Sequence, residues 1–151
     1  MAKKQKEAKK ECPAKAYLNR IRFLEEMINE KIADRDAVRE MLYRVTPILK
    51  DDVVSFSGNQ DKIGTGAAKL ADYEAELDEM IDKLVDMKRV ILTQLEKLKD
   101  IDHYKVLKLR YIHCYTFERI ATEMDYSIRH IWRIHGRALQ AFEKVMNEGE
   151  G

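Results

Sequence analysis

Apolar positions recur every three or four residues over most of this chain, the period of an amphipathic helix. From Ala14 to Val45, one stripe is kept by Tyr17, Ile21, Leu24, Ile28, Ile32, Val38, Leu42 and Val45, weakened around Arg35. It predicts a long helix ending at Thr46-Pro47, because proline disfavours helical geometry in the residue before it. From Ala67 to Asp100 the pattern is a heptad. Leu70, Tyr73, Leu77, Met80, Leu84, Met87 and Ile91 alternate spacings of three and four, Gln94 interrupts the seam, and Leu98 resumes it. Such a seam needs a partner helix. The first helix, folded back, supplies one within the chain; a second chain is the alternative, and dimerisation through this region is compatible with the hairpin. Residues 46–66 between them, with Ser55, Ser57, Gly58, Asn59, Gly64 and Gly66, read as a loop. They hold no GxxxxGK[ST] pattern, so a phosphate-binding reading has little support.

The pattern changes after Ile101-Asp102. His103–His113 reads as a helix with Val106, Leu107, Leu109, Tyr111 and Ile112 as core candidates. Phe117, Ile120, Ala121 and Met124 then fall at i, i+3, i+4 and i+7 of a short helix. Thr116 is placed to cap it, and Glu118 suits the positive end of its dipole. Asp125-Tyr126 breaks the pattern and Ser127 is placed to cap a last helix, predicted over 127–144. Its buried stripe is Ile131, Ile134, Ala138, Ala141 and Val145. At 100° per residue Arg129, Arg133 and Gln140 point away from that stripe. Two short helices so arranged make a helix-turn-helix whose outer face carries arginines and no acid until Glu143. Arginine is the side chain best suited to phosphate oxygens and guanine edges. The fold class expected is therefore all-α: a long antiparallel, coiled-coil-like hairpin over 14–100, then a three-helix helix-turn-helix module over 101–146. A basic disordered arm over 1–13 and a flexible tail over 147–151 complete the division.

Charge sharpens the picture. The net charge of +1 is unevenly spread. Residues 1–15 carry six Lys against two Glu, and residues 16–102 carry 14 basic against 19 acidic side chains. Residues 103–145 carry eight basic against four acidic ones, and all four histidines. A basic C-terminal module thus stands beside an acidic middle. Cys12 and Cys114 sit in unlike contexts and read as reduced thiols of a cytoplasmic protein. No apolar run approaches the roughly 20 residues that span a bilayer. His130 and His135, five apart, do not share a helix face, and His113-Cys114 has no second pair, so no metal site is expected. With three serines and no Ser/His/Asp context, no catalytic constellation is apparent; the chain is expected not to be an enzyme and to need no cofactor.

With these residues in view, the C-terminal part resembles region 4 of bacterial sigma factors, which binds the −35 promoter element. VLKLRY (Val106–Tyr111) is similar to the helix preceding the motif, TFERIATEM to the first motif helix, and SIRHIWRIHGRAL to the recognition helix. The layout as a whole resembles the small regulators of phage late transcription of the RinA/ArpU type. Asp125 stands where the family has Gly or Asn, and Trp132 is bulky for a groove position. The regions that melt promoter DNA are not recognised, so a complete primary sigma factor is not expected. The resemblance implies double-stranded DNA as partner, with Ile128, Arg129, Trp132 and Arg133 facing the groove from the helix that Ser127 opens, and Arg119 and Arg137 clamping backbone. RNA polymerase and a second copy of the chain are candidate partners of the hairpin; a membrane is not. For Arg129 and Arg133 the alternative is a solvated helix face, and for Trp132 a buried indole. Two other functions stay open: a small-terminase-like DNA-packaging subunit, and a coiled-coil adaptor that binds no nucleic acid.

Overall fold

The computed structural model describes residues 12–51 and 57–149. They are helical throughout their regular structure, with no strand among them. Helix α1 spans Pro13–Asp51 and α2 spans Ser57–Leu95. Pro13 suits the first helical position, where its missing N–H has no partner to lose. The two helices pack as a pair. Lys31 meets Glu76, and Arg39 meets Glu74 at 3.1 Å. Numbers fall along α2 as they rise along α1, so the pair is antiparallel, as the heptad predicts for an intramolecular partner.

Packing divides the chain into two compact units. The first is Leu24–Val85, the middle of the pair. Ile28 and Leu77 are buried in it, and Leu24, Ile32, Val38, Leu42, Leu70, Tyr73, Met80 and Leu84 are half-buried. These are the positions of the two predicted stripes. Arg35, where the first stripe weakens, turns its guanidinium to Asp36 at 3.0 Å.

The expected loop over 46–66 is shorter than the pattern suggested. Helix α1 continues through Pro47 to Asp51, and α2 already starts at Ser57. Proline makes a helical residue before it unfavourable, not impossible. Gly66 lies within α2, where a β-carbon would come 2.5 Å from Leu42 Cδ2. The glycine that read as a loop marker lets two helices approach. Of the Lys-rich arm over 1–13, only Cys12 and Pro13 fall among the described residues.

The second unit joins the described residues up to Phe23 with those from Asp86 onward. Ala14, Leu18, Ile21, Ile91 and Leu95 are fully buried in it, as are Leu107, Ala138 and Phe142. Tyr17 ties three helices together: its ring stacks on Phe142 at 6.2 Å, and its hydroxyl donates to Gln94 Oε1 at 2.8 Å. Gln94 interrupts the apolar seam because it receives this hydroxyl.

Helix α3 (Ile101–Leu107) starts on Asp100, whose carboxylate accepts from the N–H of Asp102 at 2.8 Å. It runs on into a π-helical turn, Lys108–Ile112. The wider turn lets Tyr111 and Ile112 both turn inward, where both are buried. Cys114, at φ 57°, then reverses the chain. Helix α4 (Phe117–Met124) is capped by Thr116, whose Oγ1 accepts from Arg119 N at 3.2 Å, and α5 (Ile128–Glu148) by Ser127, whose Oγ accepts from His130 N at 3.2 Å. Both predicted caps are in place. Helix α5 outruns its expected end at residue 144, and the tail is correspondingly shorter.

The core between α3, α4 and α5 is Val106, Ile120, Ile131 and Ile134, flanked by Leu109, Tyr115, Phe117, Ala121, Met124 and Tyr126. Half-buried Ala121 is the small residue that lets α4 and α5 meet closely. Between the two helices Asp125 adopts the left-handed conformation, φ 55° and ψ 44°. Its N–H donates to Thr122 O at 3.3 Å, and the next N–H, of Tyr126, donates to Ala121 O at 3.0 Å. This conformation costs a residue with a β-carbon about 1 kcal/mol, and a glycine almost nothing. Asp125→Gly is therefore expected to stabilise the fold by up to about 1 kcal/mol, and Asp125→Val to destabilise it by at least as much. Urea titrations of the three proteins check the order, which a non-strained turn would not produce.

Candidate nucleic-acid interface

Burial fixes the rotation of α5. Ile131, Ile134, Ala138, Leu139 and Phe142 face inward. The opposite face consists of Arg129, Trp132, Arg133, Gly136, Arg137 and Gln140, all exposed. The Trp132 indole is 53% exposed, so its place is the surface rather than the core. Ser127 opens the helix as its cap, and Ile128 beside it is half-buried. Arg119 stands apart on α4, with its guanidinium 3.6 Å from the centre of the Tyr115 ring. Stacking there orients the group and leaves its outer side to solvent. The structure thus gathers Arg129, Trp132, Arg133 and Arg137 on one helix face, with Ser127 and Ile128 at its start.

The turn before α5 is held by polar contacts. The Tyr126 hydroxyl donates to Asp102 Oδ2 at 3.0 Å, and the Tyr126 ring meets His130 edge-on at 4.7 Å. Hydrogen bonding to Asp102 pushes the Tyr126 phenol upward in pKa. On the next turns His135 does similar work from the inside. Its Nε2 lies 2.8 Å from the Tyr111 hydroxyl, and its ring packs at 5.0 Å against the edge of Phe117. Burial is the main reason that His135 is pushed down to about 4, with Arg110 and Lys15 adding to the effect. Burial likewise pushes Tyr111 up to about 12. Arg110 reaches across to the Tyr115 carbonyl at 3.0 Å and lies 4.2 Å from the Phe117 ring centre. Desolvation, and then Arg22, lowers its pKa.

Electrostatics favour one surface. No acidic side chain occurs from Ile128 to Phe142, and the first turn of α5 has none to oppose its positive dipole end. The unit containing this module carries 20 basic against 12 acidic side chains over its full span, and Leu24–Val85 carries eight against 15. An open hollow of about 450 Å³ on α3 and α4 offers no comparable field, because Lys105 and Lys108 in it are offset by Asp102 and Glu123.

The helix-turn-helix geometry, the left-handed turn and this basic face coincide with a known domain. Residues 95–142 match the family model of Sigma-70, region 4. This segment is a sigma region 4-like helix-turn-helix domain. The match begins at Leu95, so it takes in α3, α4 and all but the end of α5. No curated protein and no solved structure matches the chain. Domains of the region 4 type bind DNA and contact RNA polymerase. No described helix is long and apolar enough to cross a membrane.

Sequence reasoning missed Leu139 and Phe142 as core, and Tyr17 as the partner of Phe142. Both lie beside the predicted α5 stripe, and for Phe142 it is Tyr17 of α1 that covers this flank. His135 is half-buried and hydrogen-bonded.

His135 gives the region 4-like domain a pH dependence. Its folded pKa, about 4, lies below the unfolded value of about 6.5. Between those values the unfolded chain binds more protons, so stability falls as pH drops through this window. Replacing His135 with Gln removes that contribution. The stability gap between wild type and His135→Gln should narrow from pH 7 to pH 4 in chemical denaturation; a gap independent of pH would contradict a buried neutral histidine.

Proposed function

We propose that this protein is a sequence-specific DNA-binding regulator of transcription, of the type found in phages. The observation that carries the reading is the acid-free outer face of α5, where Arg129, Arg133, Arg137 and the exposed Trp132 stand together. In the proposed mechanism α5 lies in the major groove with its N-terminal turns toward the bases. Arg129 and Arg133 contact base edges, and Trp132 packs on a sugar or a thymine methyl. Arg137 and Arg119 hold phosphates, and the dipole end at Ser127 favours the same negative strands. Phosphate contacts position the helix, and base contacts give it sequence preference. The hairpin is the part that contacts RNA polymerase or a second copy of the chain. The protein acts by binding rather than by catalysis, in the cytoplasm, without a cofactor.

The test begins with the duplex that the wild-type protein selects from a random pool at about physiological salt. On that duplex Arg133→Ala should lose about 1–3 kcal/mol of affinity, and less on unrelated sequence. Equal loss on every duplex would make Arg133 a phosphate contact. Absence of any DNA binding by the folded protein would contradict the reading and favour an adaptor role. Assembly into rings on DNA would favour a packaging subunit instead.

A further inference from the structure

Gly136 lies near the centre of the outer face of α5, a 21-residue helix. Glycine is the poorest helix former after proline, so a glycine kept in mid-helix needs a reason. Two reasons within the fold are absent. No described glycine has positive φ, so the backbone here does not require one. Nothing lies within 4 Å of the position a β-carbon would take at Gly136, so no neighbouring helix requires one either. Gly66 is the contrast, since there Leu42 fills the space. Gly64 is also open, but alanines follow at 67 and 68 and no arginine or tryptophan stands one turn away. Gly136 is framed by Trp132, Arg133, Arg137 and Gln140, all exposed. It forms a bare notch of backbone beside three side chains assigned to DNA, Trp132, Arg133 and Arg137.

Position along the helix suggests what fills the notch. Arg129 and Gly136 are seven residues apart, about 10.5 Å of helix axis. That exceeds the roughly 8.5 Å depth of the major groove. A helix whose N-terminal turns point to the bases therefore carries Gly136 at the level of the sugar–phosphate backbone. We infer that Gly136 is a DNA-contact position in its own right, where the sugar–phosphate backbone of one strand packs directly on the backbone of α5. Arg137 then reaches a phosphate beside it, while Arg133 points on to the bases. The absent side chain sets the depth to which the helix enters, and any β-carbon holds it off.

This inference rests on the DNA-binding reading, and the experiment separates the two. Wild type, Gly136→Ala and Gly136→Met are compared on the duplex selected by wild type, with thermal unfolding of each. Ala and Met are both good helix formers, so both variants should unfold about 3 °C higher. Affinity should nevertheless fall, by about tenfold for Ala and further for the bulkier Met. Wild-type affinity in both variants would overturn the inference and leave the DNA reading intact. Equal losses for Ala and Met would also overturn it, because they would assign Gly136 to helix flexibility. Failure of wild type itself to bind any duplex would overturn the reading beneath it.

Discussion

One-sided burial of α5 is the constraint on which the rest depends. Its inward residues are held by two sets of neighbours. Ile131 and Ile134 sit in the core with Val106 and Ile120, and Phe142, further on, stacks on Tyr17 of α1. A helix gripped along more than half of its length has little freedom to rotate. The 3.6-residue period then decides which side chains face water, and it delivers three arginines and a tryptophan to the same side. Rigidity matters here because a groove-reading face must present its groups together, and side chains on a packed helix lose less freedom on binding than those on a loop.

The angle between α4 and α5 depends on a smaller set of contacts. The left-handed turn at Asp125 ends α4 with its last carbonyls paired. The Tyr126–Asp102 hydrogen bond fastens that turn to α3. Inside, neutral His135 connects α5 to Tyr111 of the π-helical turn while packing on Phe117 of α4. Each contact is modest, but each joins elements that the apolar core alone leaves free to slide. The π-helical turn belongs to the same arrangement, since it brings both Tyr111 and Ile112 inward.

Much of this was legible in the sequence because the strongest signals are local and periodic. The heptad from Leu70 to Ile91 marks the buried or half-buried face of α2 throughout. Thr116 and Ser127 announce their helices, and Asp125 the turn between them. What was not legible depends on partners distant in the chain. Pro47 and the glycines after it spoke for a loop, yet α1 runs to Asp51 and Gly66 lies in α2 close to Leu42. Gln94 read as a defect in a seam until Tyr17 supplied its hydrogen bond. Leu139 and Phe142 lie off the predicted stripe, and nothing local says that Tyr17 of α1 covers Phe142. The resemblance to sigma region 4 was carried by α3, α4 and α5, and residues 95–142 match that family.

The central claim is that the outer face of α5 is the surface that meets DNA. It is tested most directly by titrating a duplex into isotope-labelled intact protein and following the backbone amides and the Trp132 indole by NMR. The account predicts that shifts cluster from Ser127 to Gln140, with the indole among the largest, and that residues 24–85 change little. Shifts confined to other parts of the chain, with the Trp132 signal unmoved at saturation, would contradict it.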